Sequence, residues 1–268
     1  MIETGHKVLL FIGNGFDCDL GLKTKYKDFV ESDYFKRNVS AKFGYSQLRD
    51  PDFDFSIFDY LKFKYNENQN WIDIEHELLS LATRKCQGID YKNGQYIDVL
   101  PISTPLQEET FYKLKEELND YLLHIDYTIE TDTYSHKLLR LINKSSYAQI
   151  VSFNYTPLDL LCKIEGGLKK ACFHVHGCLS DNDKQSIILG FQDDVDIDKS
   201  YCYMIKSHQP SYYSSHIPDL LESVDEVIFF GLSLGDVDYP YFSDFFKKQC
   251  IANSAMERKI ISFFTFDE

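Results

Sequence analysis

Lys7-Val8-Leu9-Leu10-Phe11-Ile12-Gly13-Asn14-Gly15-Phe16-Asp17 decides the fold. Six residues from Lys7 to Ile12 form a nearly continuous apolar run that stops at Gly13-Asn14-Gly15. An uninterrupted apolar run suits a strand buried on both faces, as parallel sheets require. A glycine turn directly after it predicts a strand-to-helix turn in which the backbone can approach a pyrophosphate closely. The G-x-G here lacks the third glycine of the full dinucleotide fingerprint, so a plain structural turn is the competing explanation.

Runs of similar type recur along the chain: Ala148–Phe153, Ala171–Val175, Ser186–Leu189, Glu226–Phe230 and Lys259–Phe266. Together with the first they predict a parallel sheet of about six strands. Between about residues 27 and 147 the pattern is helical with almost no strand. The clearest helix is Glu108–Leu123, where Phe111, Leu114, Leu118, Tyr121 and Leu122 recur at spacings of three and four. Others are expected at Tyr26–Ser32, Asp73–Arg84, Tyr134–Ile142, Pro157–Ile164 and Tyr239–Cys250. Phe53–Phe58 is open between loop and helix start. The reading is an α/β core from 1–26 and 148–268 with a helical insertion subdomain at 27–147.

Composition narrows the function. The 268 residues carry 42 Asp and Glu against 28 Lys and Arg, a net charge of −14. Most of such a surface repels phosphate backbones, so general nucleic-acid binding is not expected. Seven cysteines, an odd number without a C-x-x-C pair, fit reduced thiols in a cytoplasm. No apolar segment is long enough to span a membrane.

Three further motifs follow apolar runs. After Ala148–Phe153 come Asn154-Tyr155-Thr156-Pro157; Asn154 could point its amide into a crevice, or Asn154 and Thr156 could cap a helix that Pro157 opens. In Cys172-Phe173-His174-Val175-His176-Gly177-Cys178 the Cys and His positions alternate and would share one strand face. Cys172 and Cys178 would lie roughly 20 Å apart on an extended chain, too far to hold one ion together. No metal is therefore expected. His176, at the strand's end, suits a working role and His174 a structural one. After Glu226–Phe230 come Gly231-Leu232-Ser233-Leu234-Gly235-Asp236-Val237-Asp238, where Gly231 permits close approach and Ser233 can hydrogen-bond a phosphate or ribose, while Asp236 and Asp238 could bind a ribose hydroxyl or a metal, or cap the next helix.

Taken in order, the glycine turn, Gly21-Leu22-Lys23-Thr24-Lys25-Tyr26, Trp71–Leu78, the N-Y-T after a strand, H-x-H-G and G-x-S-L-x-x-x-D resemble the AbiH family of bacteriophage abortive-infection proteins. That family in turn resembles sirtuin-like proteins. The resemblance implies a sirtuin-like Rossmannoid parallel sheet with a large inserted helical subdomain. It implies NAD+ as substrate or ligand with no further cofactor, and cleavage at the nicotinamide–ribose bond by an NAD+ glycohydrolase. His176 and Asn154 would be catalytic. Gly13, Asn14, Gly15, Asp17, Thr24, Tyr26, Thr156, Gly231, Ser233 and Asp236 would hold the nucleotide. Thr156 stands where the sirtuin pattern has Asp, and no four-cysteine ribbon is present, so deacylation is not implied. A non-catalytic nucleotide sensor or assembly component of a defence system is the alternative, and a nuclease-type effector a second. The expected partners are a small nucleotide and either a second copy or another defence protein, with no membrane.

Overall fold

The structure is a computed structural model that describes residues 6–40, 43–49, 53–90, 92–158, 172–183, 185–193, 195–210, 212, 216–235, 238–251 and 258–265. The chain forms two compact units. The first comprises Met1–Lys25, His124–Leu179 and Tyr213–Glu268; the second comprises Tyr26–Leu123 and Ser180–Tyr212.

The first unit is built on strand β1 (Val8–Ile12), whose five side chains are buried on both faces. Helix α1 (Asn14–Asp19) follows the glycine turn, and the second unit is inserted before helix α8 (Tyr134–Lys144) and strand β4 (Ala148–Ser152). Strand β5 (Cys172–His174), helix α9 (Ile217–Ser223), strand β6 (Glu226–Phe230), helix α10 (Ser243–Ile251) and strand β7 (Ile260–Phe264) follow among the described residues. The five strands lie in the order β5-β4-β1-β6-β7, and every pairing is parallel. β1 is thus the central strand. Successive strands run outward on one side of it, then the chain crosses back to the other side at β6. This is the doubly wound arrangement, and its switch point lies between β1 and β6.

The period of two along β1 feeds two separate cores. Val8, Leu10 and Ile12 pack with Phe16 of α1, with Leu20 just after it, and with Leu139 and Ile142 of α8. Leu9 and Phe11 pack on the opposite face with Ile217 and Leu221 of α9 and with Phe242 and Phe245. Phe11, Phe229 and Phe263 stack across three neighbouring strands, with centroids 5.3 and 5.1 Å apart. Such ring pairs add to the area they bury.

The second unit contains helices α2 (Tyr26–Val30), α3 (Asp33–Lys36), α4 (Tyr45–Arg49), α5 (Ile57–Glu67), α6 (Ile74–Thr83) and α7 (Pro105–Leu123). α7 is its spine and buries Phe111, Leu114, Leu118 and Leu122 on one stripe. Ser56 caps α5 by accepting a hydrogen bond from the Asp59 amide at 3.0 Å, so the open stretch Phe53–Phe58 is a loop entering a helix. An antiparallel hairpin, β2 (Cys86–Asp90) and β3 (Gln95–Val99), stands in a region expected to hold almost no strand.

The expected strand Ser186–Leu189 does not form. Its apolar residues Ile187, Ile188 and Leu189 are buried, but in the second unit and as part of neither sheet. Gln209 Nε2 donates to the Leu189 carbonyl at 2.5 Å, and the Gly190 amide donates to Glu75 Oε1 at 3.3 Å. Lys206 Nζ, fully buried, lies 3.0 Å from both Glu75 oxygens. This polar network binds 180–212 to the helices. The segment therefore packs with the insertion, and α8 packs with the sheet, whereas the expected boundaries placed both the other way. Among the described residues the sheet has five strands. Most of the expected helix Pro157–Ile164 lies outside the described residues.

Candidate functional site

The carboxyl ends of β1, β4, β5 and β6 all open on one edge of the sheet, and each sequence motif follows one of them. At the switch point the turns after β1 and β6 are stitched together. The Gly13 amide donates to the Phe230 carbonyl at 2.9 Å and the Gly15 amide to the Gly231 carbonyl at 3.0 Å. A Cβ on Gly13 would sit 2.6 Å from the Gly231 oxygen. Gly231 has φ +62°, and a Cβ there would meet the Phe16 amide nitrogen at 2.4 Å. The two glycines are needed because the turns fill each other's space. The Gly13 and Gly15 amides, expected to face a pyrophosphate, point instead at β6. Asn14 is exposed, and its Oδ1 accepts from Thr24 Oγ1 at 2.6 Å, closing the loop that follows α1.

The β4 turn reaches across to β1. Ser152, fully buried, accepts from the Asn154 amide at 3.1 Å and donates to the Asn154 carbonyl at 3.2 Å. That pins Asn154 so that its Nδ2 donates to the Gly13 carbonyl and to Asp17 Oδ1, both at 2.9 Å. Thr156 Oγ1 donates to Asp17 Oδ2 at 2.6 Å. Both side chains thus face Asp17 and not an open crevice. Asp17 is 1% exposed. Burial pushes its carboxyl up from 3.8 to about 7, against the opposing pull of the hydrogen bonds from Thr156 and Asn154. Tyr127 lies beside this group. Its hydroxyl is raised first by burial and then by the charges of Asp17 and Cys178.

The two histidines part company. His174 Nδ1 is 3.0 Å from the Asn154 carbonyl, which makes it a support of the β4 turn. His176 is buried at 5% exposure, edge-on to Phe153 with centroids 5.3 Å apart and 6.2 Å from the Tyr241 ring. The expected common face for Cys172, His174, His176 and Cys178 fails because β5 ends at His174 and Gly177 turns the chain at φ +75°. Cys172 packs with the α1–α8 core, while Phe153, against which His176 lies, belongs to the other. Among the described residues no group of three or more His, Cys, Asp or Glu is placed to hold a metal ion.

In the β6 turn Ser233 is exposed and its Oγ lies 3.5 Å from the Gly235 amide. Leu234 adopts φ +49°, a left-handed conformation that a branched side chain rarely takes. Backbone held in this way clusters at functional sites. Asp236 lies outside the described residues. Tyr26 opens α2 and belongs to the second unit. The remaining expected nucleotide-holding residues belong to the first unit. Tyr127 lies in no sequence motif, and Leu234, although the Leu of G-x-S-L, shows nothing in the sequence of its left-handed backbone.

The family model of bacteriophage abortive infection AbiH matches residues 9–258. The chain belongs to the AbiH family. This match runs through both units and takes in the glycine turn, Asn154, His176 and Ser233. Membership places the protein among those of abortive-infection defence against phage. No curated protein and no solved structure matches the chain significantly. No helix among the described residues of this AbiH chain is long and apolar enough to cross a membrane.

Proposed function

We propose that this AbiH chain binds an adenine dinucleotide at the carboxyl edge of its parallel sheet and hydrolyses NAD+ at the nicotinamide–ribose bond during phage infection. The observation that carries the reading is the switch point between β1 and β6, where open α/β sheets bind ligands. Exposed Asn14 and Ser233 flank it and supply polar contacts for phosphate or ribose. The departing nicotinamide is neutral and leaves an oxocarbenium-like ribose. A water oxygen then bonds to the anomeric carbon and loses a proton. His176 is the group proposed to take that proton, since imidazole titrates near neutrality. The products are nicotinamide, ADP-ribose and one proton.

One observation favours a second reading, a nucleotide sensor without turnover. The Asn154 amide is engaged by Gly13 and Asp17, and His176 is covered by Phe153 and Tyr241. Chromatography of NAD+ incubated with the protein separates the two. Hydrolysis lost in His176→Ala supports the enzyme; binding with intact NAD+ supports the sensor.

A further inference from the structure

Among the described residues, Asp17 is the one buried carboxyl in this region that the proposed chemistry does not use. Both its oxygens are engaged, Oδ1 by Asn154 and Oδ2 by Thr156. It therefore does not meet a ligand directly. Its two donors belong to the turn after β4, while Asp17 itself stands in α1, directly behind the glycine turn of β1. Asn154 bonds the Gly13 carbonyl with the same amide nitrogen, so the contact joins the two turns at three points.

Other polar groups surround it. Tyr127, from the segment before α8, feels the charges of both Asp17 and Cys178. His174 of β5 bonds the Asn154 carbonyl, and Asp19 of α1 accepts from the Ser135 amide of α8 at 2.7 Å. Among the described residues no Lys, Arg or His makes an ion pair with Asp17. A carboxylate accepts from both donors at once. A protonated carboxyl turns one oxygen into a donor, and the Thr156 hydroxyl must reverse to accommodate it.

We propose that Asp17 is a positioning residue: its ionised carboxylate ties the Asn154–Thr156 turn to the glycine turn, and the nucleotide is held only while that tie is made. The proposal rests on the nucleotide-binding reading above. The near-neutral titration of Asp17 puts the tie within reach of modest acidification.

Two measurements separate the tie from the ligand. The first needs no nucleotide. Side-chain amide resonances of Asn154 are followed by NMR from pH 5 to 8.5 in wild type and in Asp17→Asn. The tie predicts a titration in wild type that vanishes in the variant; resonances that do not move, or move alike in both, overturn it. The second is calorimetry with ADP-ribose and with NAD+ at pH 6 and pH 8. Wild type should bind on the order of tenfold more weakly at pH 6, as expected when a charge-assisted hydrogen bond is lost. Asp17→Asn should bind weakly at both, and Thr156→Ser should restore what Thr156→Val loses. Equal binding by wild type and Asp17→Asn overturns the positioning role alone. No binding by wild type at either pH removes the nucleotide reading and this proposal with it.

Discussion

Asp17→Asn makes a prediction about the fold whose sign runs against the usual behaviour of carboxylates. Asp17 is 1% exposed, and burial lifts its carboxyl from 3.8 to about 7. Between those values the folded chain keeps a proton that the unfolded chain has released. Stability falls with rising pH wherever the unfolded state binds fewer protons. The contribution is therefore fully present below pH 3.8 and is lost as pH rises toward about 7. At about 1.4 kcal/mol per pH unit, the whole window corresponds to about 4 kcal/mol. Between pH 5 and pH 8 wild type should lose about 2.5 kcal/mol relative to Asp17→Asn, whose amide stays neutral throughout. The assay is native-state hydrogen exchange of the β1 amides in both proteins at pH 5 and pH 8, with rates corrected for intrinsic exchange. These amides lie in the most deeply buried strand of the first unit, so their opening reports its stability. A wild-type minus variant difference that is unchanged between the two pH values would refute the reasoning. So would one that moves in favour of wild type as pH rises.

Other perturbations have equally definite outcomes. Thr156→Val removes the donor to Asp17 Oδ2, so the Asp17 midpoint should rise above about 7 in a carboxyl-carbon NMR titration. Gly231→Ala places a methyl 2.4 Å from the Phe16 amide nitrogen at a left-handed φ, and should destabilise the first unit by about 1–3 kcal/mol or more in thermal denaturation. Lys115 is buried in α7 with its Nζ donating to Gln209 Oε1 at 3.0 Å, and burial lowers its amine from 10.5 to about 8. The unfolded chain keeps that proton between about 8 and 10.5, so stability should rise with pH across this window in wild type and less so in Lys115→Met, as read by urea denaturation at pH 7.5 and pH 10.

The strands on either side of β1 were legible because each apolar run is long enough to be buried on both faces. Ser186–Leu189 has the same local character and fails as a strand, since three consecutive apolar residues specify burial and not pairing. The Leu189 carbonyl and the Gly190 amide that follows are held by Gln209 and Glu75, 20 and 115 residues distant along the chain. The site shows the same division. Gly13, Asn154, His176 and Ser233 could be placed at strand ends from local pattern alone. That Gly13 packs on Gly231 requires β1 and β6 to be neighbours, which no local window contains. Asp17 came into the nucleotide-holding set only through the family resemblance, and no local pattern shows that it is buried. Its actual partners are 137 and 139 residues away, and only the sheet order brings them to it. Tyr127 stands in no motif, and the G-x-S-L motif that contains Leu234 does not show that its backbone is left-handed, since a single leucine has no pattern that marks it.

The most direct test of the proposed activity is a proton-NMR time course of NAD+ with the purified protein, run beside His176→Ala at matched folded concentration. Stoichiometric release of nicotinamide and ADP-ribose by wild type, slowed by about 10²–10⁴ in His176→Ala, is the result predicted for a general base. Intact NAD+ with wild type, or equal turnover by the two proteins, would contradict it.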